Sequence, residues 1–306
     1  MLLNEYLIES SQTGYFSRIL KVKKLETQDY FIIKMMEKNN NKYSKELKNE
    51  IAIIKDINHP NIVKLIDIKE DDKYYYFINE YCNGGSIIDY FHEFIPLSEE
   101  IIQHVIKQII EAVKYLHNKK IVNRDIMTKH FLINYETKED LINKNILKAK
   151  IKLNGFSLSK HFQKGILINE LRGHVKYTAP EVLKCPYNEK VDIWSLGIIC
   201  CELLNGNNTY NVRNFENGNN INFFLPMNIS KEILTFINCM LQYDPNLRKS
   251  ADQLCRHEFL KKDMKNFHPI NFSDIKDHVQ DSKIIINFKD NQWISNLFGW
   301  GIIDNI

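Results

Sequence analysis

A change of hydrophobic rhythm at Asn83-Gly84-Gly85 most constrains how this chain can fold. Before it, β-branched and aromatic residues come in short runs: Tyr6 to Ile8, Phe16 to Val22, Tyr30 to Met35, Ile62 to Ile68 and Tyr74 to Asn79. Polar turn residues bound each run, which predicts strands. One helix interrupts them, with Ser44 as its N-cap and Leu47, Ile51 and Ile54 at i, i+4 and i+7. Glu50 lies on the same apolar stripe, where a lone carboxylate is costly unless a cation meets it. Beyond the glycines the period becomes helical. Ser98 heads a long segment with Ile102, Val105, Ile106, Ile109, Val113 and Leu116 on one face. Val191 to Leu204 is apolar on nearly every side and predicts a buried central helix, ended by Asn205-Gly206. A small β-rich unit ahead of a larger helical one is an α+β arrangement, with Asn83 to Gly85 as the hinge.

Size and charge narrow the function classes. The 306 residues, 44% hydrophobic, suffice for a two-lobed domain with a full core. A net charge of +3 gives no reason to expect nucleic acid or an anionic membrane as partner, and the lysine-rich run from Met35 to Lys48 reads as a solvated surface. The longest apolar run, Ile193 to Leu204, is interrupted by Ser195 and Glu202 and is too short for a bilayer. Met1 to Glu5 has no basic flank or apolar leader segment. Six cysteines, none in a C-x-x-C pair, read as buried free thiols. A cytoplasmic or nuclear location is the expectation.

Several short motifs, taken in order, carry more weight than any one alone. They are Gly14-Tyr15-Phe16 in a β-turn-β, Lys34 on the third strand, Glu50 on the following helix, and His59-Pro60-Asn61-Ile62-Val63. Asn79-Glu80-Tyr81-Cys82, Arg124-Asp125, Ala179-Pro180-Glu181, Asp192-Ile193-Trp194-Ser195-Leu196-Gly197 and Arg248 complete the series. Over residues 5–260 the chain resembles a eukaryotic-type protein kinase domain of the Ser/Thr branch. The resemblance implies a two-lobed kinase-like fold over 1–260, with an N-lobe at 1–82, a C-lobe at 83–260 and an aromatic tail at 261–306. It also implies that Asp125 stands at the catalytic base position, and that Gly14, Ile19, Ile32, Lys34, Glu50, Glu80, Cys82 and Leu132 line the nucleotide site. Lys34 and Glu50 match the ion pair in which the lysine reaches the phosphates; a purely structural strand-to-helix salt bridge fits the same residues. Glu181 is expected to pair with Arg248, Asp192 to tie the buried helix to the catalytic loop, and Ile54, Leu65 and Phe156 to link the lobes.

The departures fall on the catalytic groups. The family's catalytic loop, H-R-D-L-K-x-x-N, is here Asn123-Arg124-Asp125-Ile126-Met127-Thr128-Lys129-His130, so Met127 replaces the lysine and His130 the metal-binding asparagine. D-F-G becomes Gly155-Phe156-Ser157, removing the other metal ligand. The three glycine positions over the phosphates are Gln12, Gly14 and Ser17, for which a plain hairpin is expected. Ile32 overfills the place of the alanine above adenine, and Asn79 replaces the apolar gatekeeper. Asn123 in the column between the lobes is expected to leave it incomplete. Between Ser159 and Tyr177 there is no hydroxyl residue to phosphorylate, so Arg124 pairs with a carboxylate or stays solvated.

These losses lead to the expectation of a pseudokinase: a kinase-fold binding or allosteric protein whose partner is an active kinase or a substrate complex. No metal site is expected, since His130 and Gly155 occupy the ligand positions. No cofactor is required on this reading, ATP binds without metal if at all, and Mg2+ is not expected. The retained Lys34, Glu50 and Asp125 support the alternative of an active or weakly active ATP-dependent Ser/Thr kinase. A metal-independent nucleotide sensor is the third reading. The aromatic residues of the tail, Phe267, Phe272, Phe288, Trp293, Phe298 and Trp300, either pack back onto the large lobe or anchor a partner. Glu136 to Asn145 reads as a surface insertion, roughly ten residues beyond what the family needs.

Overall fold

The computed structural model describes residues 3–14, 17–38, 44–94, 97–205, 220–224, 229–261, 279–280 and 283–287. The first lobe is a five-stranded antiparallel sheet, built from β1 (Tyr6–Thr13), β2 (Ser17–Lys24), β3 (Tyr30–Glu37), β4 (Leu65–Glu70) and β5 (Tyr74–Glu80). Its spatial order is β1-β2-β3-β5-β4. Alternation along the strands gives the sheet two faces. Leu20, Val22, Ile33, Tyr76 and Ile78 bury themselves in a small core on one of them. On the other, the register sets Ile19 opposite Lys34, Lys34 opposite Phe77 and Ile32 opposite Asn79. β1 runs well past Ile8 because a bulge between Ile8 and Ser10 lets the polar stretch keep pairing. That stretch is exposed throughout, so no alternation announced it.

Helix α1 (Ser44–Lys55) crosses between β3 and β4. Leu47, Ile53 and Ile54 are buried on it, together with Glu50. The second lobe begins with α2 (Ile87–Phe94) and the long α3 (Glu99–Asn118), whose N-cap Ser98 Oγ accepts from Ile101 N at 3.3 Å. The six apolar residues predicted to share a face of α3 are all buried, and side chains of that size contribute about 1.5–3 kcal/mol each when removed from water. Two short antiparallel pairs follow. β6 (Ile121–Val122) pairs with β9 (Lys160–His161), and β7 (Phe131–Asn134) with β8 (Lys150–Leu153). Between β7 and β8 the expected insertion forms the short α4 (Lys138–Ile142), capped by Thr137.

Helix α5 (Lys190–Asn205) is the central buried helix: Ile193, Trp194, Leu196, Ile198, Ile199, Cys200 and Cys201 are all enclosed. Then come β10 (Asn220–Phe224), α6 (Lys231–Asn238), α7 (Ala251–Leu254), β11 (Val279–Gln280) and β12 (Lys283–Asn287). β12, from the tail, pairs antiparallel with β10, from the large lobe. The tail's six named aromatics lie outside the described residues. None of the six cysteines forms a disulfide; Cys82, Cys200 and Cys201 are buried, whereas Cys185, Cys239 and Cys255 are half-buried, correcting the expectation of six buried thiols. No described helix is long and apolar enough to cross a membrane.

The Asn83-Gly84-Gly85 segment is stitched to the large lobe. Asn83 Nδ2 donates to Tyr135 O at 3.0 Å and its Oδ1 accepts from Tyr135 N at 2.8 Å. Gly84 N donates to Ile133 O and Ile133 N to Gly85 O, each at 2.8 Å. A Cβ on Gly84 would lie 2.7 Å from the Tyr135 ring, so only glycine fits this approach. The buried Arg248–Glu181 pair fastens the far end of the lobe. Arg248 Nη1 and Nη2 reach the two Glu181 oxygens at 2.5 and 2.7 Å, and its guanidinium lies 5.0 Å from the Trp194 ring centroid.

Candidate active site

The sheet register explains how three of the candidate residues come to share one face. Ile19, Ile32 and Lys34 point from β2 and β3 to the face opposite the small core, above the second lobe. Lys34 Nζ donates to Glu50 Oε1 at 2.7 Å, which supplies the cation that buried Glu50 needs. Ser157 joins this pair: its Oγ accepts from Lys34 Nζ at 3.2 Å and donates to Glu50 Oε2 at 3.1 Å. A hydroxyl in the third place of Gly155-Phe156-Ser157 was visible in the sequence, but nothing there gave it a partner over a hundred residues away.

The other candidates border the same cleft. Gly14 closes the β1–β2 hairpin by donating its N–H to Ser17 O at 2.8 Å, in keeping with a plain turn; Tyr15 and Phe16 are outside the described residues. Ile32 is half-buried across from the buried Asn79. Glu80 spends its carboxylate on the scaffold, accepting from Lys64 N at 2.7 Å and Lys152 Nζ at 2.8 Å. Cys82 follows β5, and desolvation pushes its thiol up to about 12, which keeps it protonated. Leu132 sits on β7 and bridges to Ser86.

The catalytic loop is held from beneath by Asp192. This fully buried carboxylate accepts from Asn123 N and Arg124 N, both at 2.8 Å, and bonds His117 Nε2 at 2.9 Å. The tie forces Arg124 to φ 66°. Asn123 does not leave a gap. Its Nδ2 donates to Gly155 O at 3.0 Å and Ser159 Oγ at 3.2 Å, while its Oδ1 accepts from Asp125 N at 3.0 Å. Ile54 and Phe156 are buried in one core with Leu65 packed against them, as expected for residues linking the lobes. Met127 is buried in that core too and brings no cation to the cleft.

Burial raises the pKa of Asp125 above the usual carboxylate range, opposed by the charges of His130, Lys129 and His174. His130 Nδ1 lies 2.9 Å from Asp125 O and 3.4 Å from its Oδ2. Gly155 makes room for that imidazole: at φ 89°, a Cβ added to it would lie 3.3 Å from His130 Nδ1. The two replaced positions are therefore neighbours, one ring filling the space that the other residue vacates.

The segment after Ser157 is gripped by charge without a phosphate. Arg124 Nε donates to Leu158 O at 2.7 Å, and its Nη1 to Glu170 Oε2 at 2.9 Å and Tyr187 Oη at 3.3 Å. Lys160 Nζ takes the other Glu170 oxygen at 2.5 Å. The Lys160 hydrogen bond, with that of Arg124, lowers the Glu170 pKa to about 2. Of the two expectations for Arg124, a carboxylate partner is therefore the one found. Sequence reasoning did not single out Glu170.

A β-sheet lobe over a helical lobe, with a lysine–glutamate pair above and a pinned aspartate loop below, defines a phosphotransferase fold of the kinase class. The chain belongs to the protein kinase domain family, which it matches over residues 12–260. It is similar to calcium-dependent protein kinase 4 of Plasmodium falciparum (isolate 3D7), at 32% identity over 259 residues, 81% of this chain and 48% of that protein. Calcium-dependent protein kinase 4 of Plasmodium berghei (strain Anka) is 30% identical over 259 residues, again 81% of this chain and 48% of that protein. The chain spans about half the length of the curated relatives it matches.

This membership corrects the cofactor expectation. The family and the protein kinases it resembles imply ATP with Mg2+, so the expectations of no required cofactor, of ATP without metal and of no Mg2+ are withdrawn. The donor set at the two ligand positions is an imidazole at His130 and no side chain at Gly155. Neither is the oxygen that this hard ion prefers, and the described residues hold no cluster of three metal-ligating side chains. The two positions thus do not fit the ion as the family holds it.

Proposed function

We propose that the chain is an ATP-dependent protein Ser/Thr kinase domain, with Asp125 accepting the proton of the substrate hydroxyl and Lys34 holding the nucleotide's phosphates. One observation carries the reading: the Lys34–Glu50 pair is closed at 2.7 Å across β3 and α1. Phosphoryl transfer asks a protein mostly for positioning and fixed charge, and in this family that pair has to be in place. The Arg124 clamp on Glu170 supports it, because the segment beside Asp125 is ordered with no modification. Asp125 is pinned through its own N–H to Asn123, which fixes the backbone that carries its carboxylate.

The test is transfer of labelled phosphate from ATP with Mg2+ to a Ser/Thr peptide by the purified chain. Asp125→Asn and Lys34→Ala are each expected to lower transfer about 10²–10⁴-fold. Label that persists undiminished in both variants comes from a contaminant and sinks the reading.

A second reading is a kinase-fold regulator that docks on a protein partner, an active kinase or a substrate complex, without turnover. Met127 in the core and the His130–Gly155 exchange favour it, since they remove a cation and two oxygen ligands from the cleft. Undetectable transfer by pure wild-type protein, together with a measurable effect on an active kinase mixed with it, would select this reading.

A further inference from the structure

Helix α1 is fastened by more than the Lys34–Glu50 pair. Glu50 Oε1 accepts from Lys34 Nζ at 2.7 Å and its Oε2 from Ser157 Oγ at 3.1 Å, so each carboxylate oxygen has its own donor. Ser157 Oγ also accepts from Lys34 Nζ at 3.2 Å, which closes the three side chains into a ring. One residue earlier on α1, Asn49 Nδ2 donates to Ser159 O at 2.6 Å. Two adjacent residues of the helix thus hold one short segment, 157–159.

That segment is anchored in turn by the catalytic loop. Asn123 Nδ2 donates to Gly155 O and Ser159 Oγ, and Arg124 Nε donates to Leu158 O. The loop's fixed position is therefore passed to α1 through Ser157 and Asn49. A glycine, which the family's D-F-G has in this place, brings no side chain to make such a bond. The ring also aims Lys34. An ammonium group has three donors; with one on Glu50 and one on Ser157, the direction of the third is set.

We propose that Ser157 is a positioning residue. Its hydroxyl, backed by Asn49, holds α1 against the 157–159 segment and turns Lys34 towards the nucleotide's phosphates, with no modification of the chain. This deepens the kinase reading and rests on it for the role given to Lys34. Hydrogen bonds to charged groups are the stronger kind, and this hydroxyl serves two ions at once.

The experiment is amide hydrogen exchange on the full chain, read by mass spectrometry, for the wild type, Ser157→Ala, Ser157→Thr and Asn49→Ala. Peptides from α1 are compared with peptides from α3 in the same sample. A loss of global stability speeds both, whereas loss of a local tie speeds α1 alone. Ser157→Ala is expected to speed exchange in α1 about tenfold and Asn49→Ala several-fold, with α3 unchanged. Ser157→Thr keeps the hydroxyl and should match the wild type. Should Ser157→Ala fail to fold, Ser157→Gly, the residue of the family's motif, takes its place. Exchange in α1 that is unchanged without the hydroxyl, equally fast in Ser157→Thr, or faster only in step with α3 overturns the proposal. Phosphate transfer from ATP with Mg2+ separates the two ideas. Where the wild type transfers, Ser157→Ala should raise the KM for ATP several-fold and leave the KM for the peptide unchanged; equal shifts in both overturn the role given to Lys34. An α1 loosened by alanine and not by threonine, in a chain that transfers no phosphate, leaves the hold on α1 standing and removes the kinase reading. Undiminished transfer by Ser157→Ala with α1 unchanged does the reverse.

Discussion

Arg124 Nη1 lies 2.9 Å from Glu170 Oε2, and this contact joins the catalytic loop to a segment that has no residue to phosphorylate. A carboxylate, always charged near neutral pH, holds what a regulated phosphate holds elsewhere in the family. Glu170→Gln is therefore expected to lower phosphate transfer several-fold while leaving peptide affinity nearly unchanged. Its stability effect has a definite pH signature. The folded pKa of about 2 lies below the ordinary value of 4.5, so the stabilisation is complete above the ordinary value and is lost as pH falls towards 2. The side chain is 41% exposed, so screening leaves it worth on the order of 1 kcal/mol. Urea unfolding of wild type and variant, compared from pH 7 down to pH 3, should show the gap closing.

On the kinase reading, the burial of Asp125 and the charge of its neighbour His130 together decide where transfer falls with acid. Burial raises the Asp125 pKa and the charge of His130 opposes that rise. A base works only when ionised, so transfer by the wild type should fall as pH drops through a value above the usual carboxylate range. His130→Asn removes the opposing charge and should move that acid limb to higher pH. A pH–rate profile for the two proteins checks the direction; a shift to lower pH would contradict it.

Gly155 is fixed by conformation and by space. Its φ of 89° favours glycine, and an added Cβ would press on His130 Nδ1 at 3.3 Å. Gly155→Ala should cost about 1–2 kcal/mol from the backbone, with a further amount from the contact. In a double-mutant cycle with His130→Ala only the contact part should disappear, so the coupling energy measured by chemical denaturation should be non-zero.

The Arg248–Glu181 pair should be among the costliest single losses in the large lobe. Arg248 is buried and makes further bonds to the carbonyls of Gln242, Tyr243 and Lys190. Glu181→Gln leaves a buried cation without its counter-charge and should destabilise by about 3–5 kcal/mol. Urea midpoints give the value, and a change below about 1 kcal/mol would mean that water reaches the guanidinium.

Much of the framework was legible because its residues sit in short, spaced motifs. Lys34 with Glu50, Asp192 beneath the loop, and Glu181 with Arg248 could all be expected from position, and each contact is formed. Apolar periodicity placed α3 and α5 for the same reason, since burial leaves its period in the chain. The illegible parts depend on long-range closure. Glu170 lies 46 residues from Arg124 and Ser157 lies 107 from Glu50, with no local pattern to join them. Asn123 looked too small for its place because shape was visible and its hydrogen bonds were not. The cofactor expectation failed differently: it judged two ligand positions in isolation, whereas the family as a whole implies ATP and Mg2+.

The stitching of Asn83 to Gly85 onto β7, with Glu80 tied across to Lys152, leaves Tyr81 and Cys82 as the chain between the two anchors. Two residues span at most about 7 Å, so the jaws share a short pivot and can tilt far more readily than they can separate.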